Sequence, residues 1–85
     1  MKIRLLPQAQ EDLDEIVELA LSKIVKRLDA LRRYPTLGAV MTGPYAGYRS
    51  TVAGIFRIVY KQALADTLFI AYIRHCRRGA DIVKK

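Results

Sequence analysis

The chain has one cysteine, Cys76, and one histidine, His75, in 85 residues. A single thiol forms no internal disulfide, which fits a reducing compartment and places the protein in the cytoplasm. One His and one Cys, with no cluster of carboxylates in the second half, do not build a zinc, calcium or magnesium site, so neither metal nor cofactor is expected. No apolar stretch approaches the ~18 residues that span a bilayer; the longest of note is Leu68 to Ile73. The basic, apolar start from Met1 reaches Pro7 too early for a signal peptide. A phosphate-binding glycine loop is also missing. Gly43-Pro44-Tyr45-Ala46-Gly47 has the wrong spacing, with a proline where amide donors are needed.

Glycine and proline are missing from Gln8 to Tyr34, a block rich in Leu, Ala, Glu and Lys that reads as helix. Leu13, Val17, Ala20, Ile24, Leu28 and Leu31 form one apolar stripe, but a continuous helix leaves Leu21 and Val25 outside it. A break near Ser22, with Ser22 capping a second helix that buries Leu21, Ile24, Val25, Leu28 and Leu31, removes the conflict. Before this block, Ile3 to Leu6 reads as a short strand. After it, Tyr34-Pro35-Thr36-Leu37-Gly38 is a stop and turn, and all five glycines follow.

Three strands are expected there: Gly47 to Val52, Ile55 to Lys61 and Thr67 to His75, with turns at Ala53-Gly54 and Ala65-Asp66. In the middle strand Phe56, Ile58 and Tyr60 share one face, and Arg57, Val59 and Lys61 the other. Strict alternation in the last strand sets Leu68, Ile70 and Tyr72 against Phe69, Ala71 and Ile73. Being apolar on both faces, this strand is expected at the centre of its sheet. The expected fold is α+β, a single domain over residues 1–85 with β-α-α-β-β-β order. An antiparallel twisted sheet carries two helices on one face and leaves Arg57 and Lys61 on the open one.

Acidic residues are scarce after the first helix. Five of the eight lie between Glu11 and Glu18; from Leu19 onward thirteen basic residues face three acidic ones, a net charge of +10. A field of that sign attracts nucleic acid or an acidic protein segment; the plain alternative is a solvated basic surface. Arg49, Arg57, Lys61, Arg74, Arg77 and Arg78 lie on or beside the strands, with His75 among them. Guanidinium groups grip phosphate through paired hydrogen bonds and stabilise charge developing on it, and a histidine moves protons near neutral pH. Arg57 and His75 are therefore the candidate catalytic pair for metal-free RNA cleavage. The plain alternatives are exposed charges near a chain end and a histidine that closes the sheet. Cys76 is no nucleophilic partner for His75, because strand neighbours point to opposite faces.

Four segments in order, Tyr34-Pro35-Thr36-Leu37-Gly38, Gly47-Tyr48-Arg49-Ser50, Phe56-Arg57-Ile58-Val59-Tyr60 and Ile73-Arg74-His75-Cys76-Arg77-Arg78, closely resemble the RelE/ParE toxin superfamily. The resemblance runs from Leu6 to about Arg78. It implies the toxin of a type II toxin–antitoxin system, of the kind tied to plasmid stabilization, bound by an acidic antitoxin. RelE-like members cut messenger RNA on the ribosome with basic residues and a C-terminal tyrosine or histidine; ParE-like members share the fold and inhibit DNA gyrase. Arg57, Tyr60 and His75 match the ribonuclease pattern, but no tyrosine follows Arg78. The Pro-Thr-Leu-Gly turn and the His-Cys-Arg-Arg ending resemble ParE, whereas the helical block is shorter than ParE usually has. Both targets stay open, as do a non-enzymatic nucleic-acid-binding module and an inactive toxin that keeps only antitoxin binding.

Overall fold

The computed structural model describes residues 1–76. Strand β1 (Lys2–Leu5) leads into helix α1 (Pro7–Asp14) and helix α2 (Glu18–Arg33). Strand β2 (Ala39–Val40), a 3-10 turn (Gly43–Tyr45) and strands β3 (Arg49–Ala53), β4 (Phe56–Leu64) and β5 (Thr67–His75) follow. The sheet order is β1-β5-β4-β3-β2. The helices cover one side of it, and the architecture is α+β. Pairing between β3 and β4 and between β4 and β5 is antiparallel, as expected, and β2 adds antiparallel to β3; β1 runs parallel to β5, so the sheet is mixed. The two helices carry the chain from β1 to β2 at the opposite edge of the sheet, and the antiparallel run back through β3 and β4 brings β5 beside β1 in the same direction. The two-residue strand β2 follows directly after the Tyr34–Gly38 turn, where no strand was expected.

Pro7 opens α1, where its fixed φ suits the first helical position and its missing N–H costs nothing. The helix is held on its surface by Gln8–Asp12 and Gln10–Asp14 hydrogen bonds, both 2.9 Å. The break comes at Val17, extended at φ −66° and ψ 153°, and not at Ser22. Ser22 sits inside α2 and donates to the Leu19 carbonyl. Breaking five residues earlier rotates the stripe, so that Ile24 and Leu31 are fully buried while Val17 and Val25 face solvent. Each buried aliphatic of this kind stabilises the fold by about 1.5–3 kcal/mol. Glu18 in the first turn of α2 and Arg32 and Arg33 in the last suit the helix dipole.

The core lies between helices and sheet: Ala9, Ile24 and Leu31 meet Ile58, Tyr60, Leu68, Ile70 and Ile73. Strict alternation along β5 fails at one point. Val59 pairs with Tyr72 but Tyr60 pairs with Ile70, so Ala71 is an extra residue. This β-bulge shifts the phase of the strand. Ile70 and Ile73 both face the helices, and Tyr72 turns to the open side. Asp12 of α1 accepts the Ile73 N–H at 2.9 Å, on a part of β5 that β1 is too short to pair.

Candidate functional site

On β4, Phe56, Ile58 and Tyr60 point into the core, so Arg57, Val59 and Lys61 point away from it. Cross-strand register extends this open face. Arg57 lies opposite Arg74, Val59 opposite Tyr72, and Lys61 opposite Phe69. On β1, Ile3 and Leu5 pair with the core residues Leu68 and Ile70, which sends Lys2 and Arg4 to the open side, Arg4 next to Phe69. The face thus carries Lys2, Arg4, Arg57, Lys61 and Arg74, and no strand residue on it is acidic. Like charges directly opposite each other destabilise a sheet, so the Arg57–Arg74 pair works against the fold. Among the described residues the ion pairs are those of Asp29 with Arg32 and Arg33, on α2 and far in sequence from this face.

Tyrosines lie among these cations. The 3-10 turn is entered through Gly43, at φ 69°, and carries Tyr45 over the open face. The Tyr45 ring meets Tyr48 at 6.1 Å and Tyr72 at 6.0 Å, both edge-on. Lys61 Nζ stands 5.1 Å from the Tyr48 ring centre, and the Arg74 guanidinium 4.6 Å from that of Tyr72. Val59 is completely buried although it points away from the core, and this tyrosine cover accounts for it. Burial pushes the Tyr72 hydroxyl above its ordinary pKa, aided by its hydrogen bond with Tyr45; the charges of Arg74 and Arg57 pull the other way and do not overcome it.

The structure brings Arg57, Lys61 and Arg74 together, and separates Arg49 and His75 from them. Arg49 pairs with Tyr60 on the helix side, and its Nη1 donates to the carbonyls of Gly38 at 2.8 Å and Thr36 at 3.5 Å. It shares that loop with Tyr60, whose hydroxyl donates to Pro35 O at 2.8 Å and accepts Gly38 N–H at 2.9 Å. A Cβ on Gly38 would sit 2.7 Å from both Ser50 O and the Tyr60 hydroxyl, so the turn motif and the strand motif are two halves of one clasp. His75 lies opposite Phe56, ring centres 5.4 Å apart, on the helix side with Ile73. The sheet therefore stands between His75 and Arg57. Arg77 and Arg78 lie outside the described residues. Among those described, no group of His, Cys, Asp and Glu is placed to hold a metal ion, and no helix is long and apolar enough to cross a membrane.

Sequence reasoning missed Lys2, Arg4 and Tyr45 as members of this face, and it did not place Tyr48 or Tyr72 there. The alternation of Ile3 and Leu5 with Lys2 and Arg4 was a readable signal for β1. Nothing local marked the bulge that turns Tyr72, or the path of the turn that carries Tyr45.

The fold has counterparts. The family model of the ParE toxin of type II toxin–antitoxin systems, parDE, matches residues 3–79. The chain belongs to that family and is the toxin of a type II toxin–antitoxin system. Among solved structures it is similar to the RelBE2 toxin–antitoxin complex of Mycobacterium tuberculosis, at 25% identity and a TM-score of 0.79, over 87% of this chain and 95% of that one. The isolated Escherichia coli RelE toxin aligns over 98% of this chain and 95% of that one at 12% identity, with a TM-score of 0.75. The chromosomal ParDE system of Pseudomonas aeruginosa aligns over 88% and 95% at 19% identity, with a TM-score of 0.70. A search of curated proteins finds no relative.

Proposed function

We propose that this toxin arrests growth in the cytoplasm by applying its open sheet face to DNA gyrase, and that an acidic antitoxin silences it. The observation that carries the gyrase reading is the position of His75. With the histidine on the helix side, Arg57, Arg74 and Lys61 form a grip for negative charge without an imidazole to move a proton. The match to the ParE family supports the same target. Such a face suits a polyanionic complex, and its unopposed charge speeds the encounter.

A second reading, ribosome-dependent cleavage of messenger RNA, draws on Tyr72. Its hydroxyl lies beside Arg57 and Arg74, so its proton can pass to a leaving oxygen while the guanidiniums hold the phosphate, although burial makes it a weaker acid than an ordinary phenol. The test is a pair of assays on one purified preparation: supercoiling of relaxed plasmid by gyrase, and primer extension on ribosome-bound message. Loss of supercoiling with intact message is the expected result. Cut message with normal supercoiling assigns the toxin to the second reading, and neither effect from a preparation that arrests growth removes both.

A further inference from the structure

The other side of the sheet holds a second cationic feature. Helix α2 passes the turn between β3 and β4 so closely that a Cβ on Gly54 would come within 3.1 Å of the Lys23 side chain. Beside this contact lies an open cleft of about 270 Å³, lined by Lys23, Lys26, Arg27, Ala30, Ala53 and Gly54. Its floor is apolar and its rim carries three cations. Leu19 stands on the same line of the helix as Lys23, Lys26 and Ala30, one turn before Lys23, and is 87% exposed. Ile55, next to Gly54, is 56% exposed at the other end. Among the described residues none of the three cations pairs with a carboxylate, since Asp29 is shared by Arg32 and Arg33.

We propose that this cleft seats an acidic segment of the antitoxin, with one aliphatic or aromatic side chain resting on Ala30, Ala53 and Gly54 and carboxylates meeting Lys23, Lys26 and Arg27. Charge selects this occupant over two others. The chain's own residues 77–85 contain four basic residues and one acid, the same sign as the rim. A second copy would bring the acidic stretch from Glu11 to Glu18 with the exposed Val17, but it also brings a net charge of +7 toward an equally positive chain, and that repulsion opposes self-association. The inference rests on the antitoxin-bound reading of the toxin and adds a separation. The cleft lies on the helix side, whereas Arg57, Lys61 and Arg74 lie on the open side, so neutralisation and toxicity are divisible by mutation.

The probe is the whole antitoxin encoded beside the toxin gene, titrated calorimetrically into wild-type toxin and into Lys23→Glu/Lys26→Glu. Both lysines are exposed, and an unchanged melting temperature confirms folding. Binding is expected to weaken about tenfold or more at low salt, with a smaller gap at high salt, where the charges are screened. The milder Lys23→Gln/Lys26→Gln should fall between. In cells the charge-reversed toxin should still arrest growth and no longer be rescued by the antitoxin. Binding within twofold of wild type overturns the proposal, as does toxicity lost together with binding, which would make the cleft part of the target surface. Self-association of the wild type that the charge reversal abolishes would assign the cleft to a second copy instead. Failure of the wild-type toxin to bind this antitoxin sinks the partner reading itself.

Discussion

Arg57→Gln is expected to stabilise the isolated toxin while removing its toxicity. Arg57 and Arg74 occupy directly opposed positions on β4 and β5, and the open face offers neither a carboxylate from the strands. Two unit charges ~6 Å apart in water repel by about 0.7 kcal/mol, within the ~0.2–1 kcal/mol typical of cross-strand pairs. Removing one should return about 0.5 kcal/mol, which raises the melting temperature of a domain this size by about 2–4 °C. Arg74→Gln is the internal control. Its guanidinium lies 4.6 Å from the Tyr72 ring, and losing that contact gives back about 0.5 kcal/mol, so relief and loss nearly cancel. Thermal melts at low and high salt measure this. The Arg57→Gln gain should shrink at high salt as the repulsion is screened. A loss of more than about 1 kcal/mol in Arg57→Gln would refute the argument, because it would mean the arginine is held by a favourable partner and is no unopposed charge kept for function.

Three other substitutions test the frame around the site. Tyr60→Phe strands the Gly38 N–H and the Pro35 carbonyl inside the loop clasp, and should cost about 2–3 kcal/mol in urea unfolding with the denaturant slope unchanged. Asp12→Ala removes the acceptor of the Ile73 amide at the uncovered part of β5, and should cost about 1–2 kcal/mol; a neutral result means water replaces the carboxylate there. Tyr72 should be late to ionise in an alkaline ultraviolet titration, and Tyr72→Phe should abolish that late step. Because its pKa is raised in the folded state, its contribution to stability is whole below the ordinary tyrosine value of about 10 and is lost as pH rises through the higher folded value.

The helices and the three-strand meander were legible because their signals are local. A block without glycine or proline, turn residues at the expected spacings and alternation along β4 each report on a few neighbouring residues. The break between α1 and α2 was misplaced because Val17 carries no helix-stopping chemistry; it turns so that Leu13 and Ile16 on one side and Ile24 on the other can all reach the same core. Tyr72 was assigned to the face of Ile70 because an alternation rule has no knowledge of Ala71, the extra residue that shifts the register with β4 between Val59 and Tyr60. Arg49 read as a phosphate ligand for the same reason that it binds the Gly38 carbonyl: a guanidinium serves any nearby oxygen, and which oxygen is near is a tertiary fact. The basic face itself was visible in part, through Arg57 and Lys61, while its aromatic cover depends on where a glycine-entered turn carries Tyr45.

The most direct measurement compares colony formation after induction of two toxins, each confirmed to accumulate: Arg57→Ala/Arg74→Ala, altered on the open face, and His75→Ala, altered beneath the sheet. If the open face is the working surface, cells making the first should grow as uninduced controls do, and cells making the second should stop as with the wild type. Growth arrest by the arginine variant, or rescue by the histidine variant at full expression and an unchanged melting temperature, would contradict the account.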